Sequence, residues 1–125
     1  MYLTSQLIKL FDNDACRIVN ISARVGSIHD NKSGGWYSYR ASKAAQNMFT
    51  KNIALEFERK KNVVCVALHP GTLDTELSKP FIHGEIKNDA FSPQVSAEKL
   101  LKIISNLDKS DSGSFLDWSG KIIHW

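Results

Sequence analysis

Three stretches of the chain are patterned too regularly to be loop. Trp36 to Lys60 sets Ala41, Ala45, Phe49, Ile53 and Phe57 in one row, with Ala44, Met48 and Leu55 beside it. That is a broad apolar stripe on a long helix, wide enough to cover a sheet and a partner helix. Arg17 to Ile21 and Val63 to Leu68 are short apolar runs rich in β-branched residues, the pattern of strands buried on both faces of a parallel sheet. Met1 to Phe11 carries Leu3, Leu7, Ile8 and Phe11 at helical spacing and is stopped by Asp12-Asn13-Asp14, which predicts a leading helix. Ala97, Leu100, Leu101, Ile104 and Leu107 predict a further amphipathic helix, with Ser96 as its expected N-cap and Glu98 in its first turn. Phe115-Leu116 begins a last strand, and Ser119-Gly120 allows a turn before Lys121. Residues 72 to 92, with Pro80 and Gly84, have no periodicity and read as a long loop with at most a short helix.

The order strand–helix–strand–helix–strand behind a leading helix predicts an α/β domain with a parallel sheet flanked by helices. A length of 125 residues fits one domain, and 42% hydrophobic content is ordinary for a globular protein, so disorder is not the default. The net charge of +3 comes from mixed signs, and nothing in it argues for a nucleic-acid or membrane partner. No apolar run approaches membrane-spanning length, and Met1 to Phe11 is too short for a signal peptide. Cys65 lies inside an apolar strand, so both cysteines are expected to be reduced and the setting cytoplasmic. The four histidines are scattered without ligand spacing, and no metal is expected.

Candidate chemistry centres on Tyr39-Arg40-Ala41-Ser42-Lys43. Residues i and i+4 of a helix share a face, so the phenol and the ammonium converge. A lysine beside a tyrosine stabilises the phenolate and brings the phenol toward proton exchange at neutral pH. The bare spacing arises often by chance in surface helices, so its surroundings carry the weight. Upstream stand Arg17-Ile-Val-Asn-Ile-Ser22 and Gly34-Gly-Trp-Tyr-Ser-Tyr39. Downstream stands Val63-Val-Cys-Val-Ala-Leu-His-Pro70-Gly71-Thr-Leu-Asp-Thr75. In this order the segments resemble the short-chain dehydrogenase/reductase family, most closely the carbonyl-reductase-like subgroup that includes C-factor and sniffer.

The resemblance implies the C-terminal part of a Rossmann-like doubly wound parallel sheet, about three parallel strands with flanking helices. Residues 1 to 125 then form a single incomplete domain, because the glycine-rich first turn of the family is absent from the sequence. The function implied is NAD(P)-dependent oxidoreduction, reducing a carbonyl or oxidising a secondary alcohol. Tyr39 would act as acid or base, and Lys43 would tune it and hold the nicotinamide ribose. Pro70, Gly71, Leu73 and Thr75 would lie beside the nicotinamide of NADP or NAD. Ala23 falls where the family carries a substrate-orienting serine, which leaves Ser22 or Ser27 as replacements. Trp36 and Tyr37 either line the substrate mouth or pack the helix entrance, and Trp118 and Trp125 are core or interface residues.

Implied partners are a small carbonyl or alcohol substrate and a second copy docked through the long helix. Without the pyrophosphate turn, the chain alone is expected to bind dinucleotide weakly and to turn over little. The alternative is an inactive family remnant that serves as a helix-mediated dimerisation or interaction module.

Overall fold

The structure, a computed structural model, describes residues 6, 15–58, 62–76, 78–79 and 90–125. The expected leading helix over Met1 to Phe11, apart from Gln6, and its Asp12–Asp14 stop lie outside the described residues, as does most of the loop between 77 and 89. The described elements are β1 (Cys16–Ile21), α1 (Tyr37–Phe57), β2 (Val63–His69), α2 (Pro93–Asn106) and β3 (Phe115–Asp117). The three strands form one parallel sheet in the order β1-β2-β3. Register runs from Cys16 opposite Val63 to Ile21 opposite Leu68, and from Ala67 opposite Phe115 to His69 opposite Asp117.

The central strand shows why its sequence is continuously apolar. Successive side chains of a strand point to opposite faces. Val64, Val66 and Leu68 pack with Leu107 and Leu116 on one face, where Leu100, Ile103 and Ile104 of α2 cover them. Cys65 packs on the other face with Ile53 and Ala54 of α1. One helix therefore lies on each side of the sheet, the doubly wound arrangement the sequence implied. The sheet ends in a fold-back: Asp117 N donates to Lys121 O (2.8 Å) and Ile123 N to Phe115 O (2.7 Å). Trp125 stacks on Phe115 with ring centroids 5.4 Å apart.

Two helix starts differ from expectation. Trp36 stays outside α1 because its backbone is left-handed, at φ 47°. The second difference is a correction: Ser96 does not cap α2. Ser92 does, accepting from Val95 N, with Pro93 in the first turn. Proline's fixed φ suits that position and needs no donor there. Ser96 is buried inside the helix and donates instead to Pro70 O (2.8 Å), and the first turn carries no acidic residue.

Candidate active site

The candidate residues gather at the carboxyl ends of β1 and β2. This is the edge where open parallel sheets bind ligands. After β1 the chain makes a short 3-10 turn at Arg24–Gly26 and reaches α1 through Gly34 and Gly35. Tyr39 stands in the first turn of α1, 49% exposed. The Lys43 Nζ lies 6.0 Å from the centre of its ring. The pair thus shares a face, as the spacing requires.

Lys43 Nζ donates to Ile21 O (3.2 Å) at the end of β1 and to Gln46 Oε1 (3.0 Å). Both acceptors are neutral, so its charge is not cancelled by them. An ammonium has three N–H bonds, and among the described residues one remains to donate. Gly26 is pressed onto this helix: a Cβ there would come within 2.7 Å of Lys43 Cβ and 2.8 Å of its carbonyl carbon.

The serine candidates are not presented to this site, which corrects the expectation for Ser22. Ser22 is 2% exposed, and its Oγ donates to Asn47 Oδ1 (2.6 Å) in the packed interior beneath α1. Ser27 is equally buried, and its hydroxyl donates to His124 O. An extended strand aims adjacent side chains to opposite faces, so Ser22 turns inward one residue before Ala23.

The Pro70–Thr75 turn follows β2 and is held by its own neighbours. Pro70 O accepts from Ser96. Leu73 pairs with Phe91, with Asp74 N donating to Phe91 O (2.9 Å) and Phe91 N to Thr72 O (2.8 Å). Gly71 has φ 83°, and a Cβ on it would lie 2.8 Å from Phe91 and 3.0 Å from Trp118. What approaches this glycine is a pair of edge-to-face aromatic rings, 4.8 Å apart. The Thr75 hydroxyl lies 3.0 Å from Ser78 Oγ, which also accepts from Thr75 N and donates to Leu73 O.

Two features of the site were not foreseen from the sequence. Arg40, between the tyrosine and the lysine, donates from Nε to Gly34 O and Gly35 O (3.1 Å each) and from Nη1 to Val25 O (3.1 Å). Beside it, Arg24 bridges Asp30 and the buried Asp117 (3.2 Å each). Asp117 Oδ1 also accepts from Ser119 N and Oγ and from Lys121 N. Burial works against its charge, but these donors and Arg24 outweigh it and hold the carboxyl below its usual range. Next to it in register, His69 is lowered to about 4 by burial and by Arg24, with Asp117 opposing. Cys16 and Cys65 are free thiols, and burial pushes Cys65 up to about 12.

A model described as short chain dehydrogenase matches residues 1–85. The chain belongs to that family. It is similar to 1-hydroxy-2-glutathionyl-2-methyl-3-butene dehydrogenase of Rhodococcus sp., 38% identical over 98% of this chain and 52% of the relative. It is also similar to C-signal of Myxococcus xanthus, 34% identical over 87% of this chain and 61% of that protein. Among solved structures, Carbonyl reductase Sniffer of D. melanogaster aligns at TM-score 0.75 and 31% identity, over 87% of this chain and 41% of that one. An NADPH-bound carbonyl reductase from chicken fatty liver aligns at TM-score 0.75 and 38% identity, covering 87% and 42%. This short chain dehydrogenase chain therefore spans about half the length of the curated relatives it matches.

Proposed function

We propose that this chain carries the proton-transfer half of an NAD(P)-dependent oxidoreductase acting on a carbonyl or secondary alcohol. One observation carries the reading: an exposed phenol and an ammonium with neutral partners share a helix face at the ligand-binding edge of the sheet. A nicotinamide dinucleotide, when bound, supplies or accepts the hydride. Lys43 fits its ribose end, because among the described residues it keeps one N–H to donate and its charge meets only neutral acceptors. The sequence holds no glycine-rich turn for the pyrophosphate. Pro70, Gly71, Leu73 and Thr75 form a rigid turn at the same edge, where backbone groups of the loop would meet the nicotinamide side. The similar structures solved with NADPH or NADP bound support a nicotinamide dinucleotide as the cofactor.

In reduction, Tyr39 gives its hydroxyl proton to the carbonyl oxygen, and the phenolate left behind is stabilised by the Lys43 ammonium. In oxidation the phenolate takes the alcohol proton. Neither Ser22 nor Ser27 orients the substrate, since both hydroxyls are spent in the interior. The test is carbonyl-dependent oxidation of NADPH by a chimera that joins this chain to the part of the Rhodococcus relative it does not match. Tyr39→Phe is expected to lower turnover by about 10²–10⁴-fold, the usual worth of a positioned acid. Full turnover by that variant would sink the reading.

A second reading is supported by the outer face of α1. Met48 and Leu55 are 63% and 57% exposed, with Ala41 and Ala45 exposed beside them. An apolar row on a long helix suits association of two copies.

A further inference from the structure

We infer that the cavity between α2 and β3 is a binding site for a small monocarboxylate with an apolar body. It lies on the face of the sheet opposite the tyrosine helix. There α2 covers Val64, Val66 and Leu68, whereas α1 packs on Cys65, which points the other way. The inference is therefore independent of the reading of Tyr39 as a proton donor.

The cavity has a volume of about 460 Å³, within the range of small-molecule sites. Ile103 of α2, Leu107 just beyond it and Leu116 of β3 give it an apolar lining, and the same three side chains belong to the core on that face. Trp118 lines it at the end of β3. Lys99 and Lys102 line it from α2, and at i and i+3 they share a helix face.

Two lysines on a helix are ordinarily a solvated surface. Here they border a concave apolar space, and one of them is held against it. Lys99 is half-buried, with Nζ 4.8 Å from the centre of the Trp118 ring and 5.2 Å from that of Phe91. Ring faces attract a cation but leave its charge in place. Among the described residues neither ammonium meets a carboxylate in an ion pair. Asp111 also lines the cavity, but it precedes β3, whereas Lys99 stands beside Trp118 at the strand's far end. The Asp111 Oδ2 is engaged in its own turn, where it accepts from Asp108 N (2.9 Å). A ligand carboxylate at the lysine end thus gains charge-assisted hydrogen bonds without a competing anion. Its apolar body displaces water from Ile103, Leu107 and Leu116.

The test is an NMR titration of the 125-residue chain with 4-phenylbutyrate, and with 4-phenylbutyramide as the uncharged counterpart. The acid is expected to bind saturably at about 1 mM or tighter. It should shift the Trp118 indole N–H and the amides of 99–107 and 116–120, and leave those of Tyr39 and Lys43 in place. The amide is expected to bind about tenfold more weakly, the scale of a hydrogen bond to a charged group. Lys99→Gln and Lys102→Gln should each weaken the acid about three- to tenfold and leave the amide unchanged. Lys102 is exposed, so its variant removes charge without disturbing the packing. Lys121→Gln, outside the cavity, should change neither ligand.

Four results would overturn the inference. They are no saturable binding of the acid, equal binding of acid and amide, and equal weakening by Lys121→Gln. The fourth is a shift of the cavity signals with protein concentration alone, which would mean that a second copy covers the cavity.

Discussion

His69 closes β2 between two opposite charges and with its Nδ1 buried among the described residues without a hydrogen-bond partner. Burial first, and Arg24 second, lower it from 6.5 to about 4. Unfolded, the imidazole takes up its proton near pH 6.5, whereas in the fold it does so only near pH 4. The unfolded state therefore binds more protons between those values, and stability falls as the pH falls through that window. The full loss is up to about 3 kcal/mol. Asp117, held below the usual carboxylate range, adds a further loss at still lower pH. Urea denaturation across this range should show the first phase vanish in His69→Leu; an unchanged slope would remove His69 as its cause. At this scale the sequence was legible in the placement of Tyr39 and Lys43 on one helix face, which their spacing alone dictates. It was silent on Arg40, whose acceptors are mostly backbone carbonyls, and on Arg24, which joins Asp30 to the sequence-distant Asp117. Ser22 misled because a single position along a strand decides which face a hydroxyl meets.

Among the elements, β2 was the easiest to foresee, because burial on both faces leaves no polar position to break the run. Its centre should be correspondingly sensitive. Leu68 is fully buried between the sheet and α2. Leu68→Ala is expected to cost about 2–5 kcal/mol, read as a lower urea midpoint at unchanged m-value; a loss within error would mean the face is not closely packed. Helix α2 was foreseen in its stripe but not in its start. Ser92 and Ser96 are both acceptable caps, and only the proline at position 93 separates them. The long loop escaped a finer reading for a different reason: its pairing of Leu73 with Phe91 joins residues that carry no shared period.

At the level of the molecule, topology and family were readable because strand, tyrosine helix, strand and turn recur in a fixed order. Association was not, since an exposed apolar row is equally consistent with a cover supplied by the same chain. Strand β1 has a described strand on one side only, which leaves a backbone edge able to pair. If the α1 face joins two copies, light scattering will give a mass that rises with concentration toward twice 14.0 kDa. Met48→Lys with Leu55→Lys will abolish the rise. A strict monomer at every concentration would end the association reading.

The glycines of the loop before α1 divide its tolerance for change. Among the described residues nothing lies within 4 Å of a Cβ built on Gly34 or Gly35, whereas one on Gly26 collides with the body of Lys43. The loop thus has a bend and a shim. At 34 and 35 the limit is the backbone, since φ of 63° and 68° strains any L side chain, whereas at 26 it is space, and the thickness there stays at a single hydrogen atom. A thicker shim would tilt the first turns of the tyrosine helix away from the sheet and spoil the alignment of every group mounted on them.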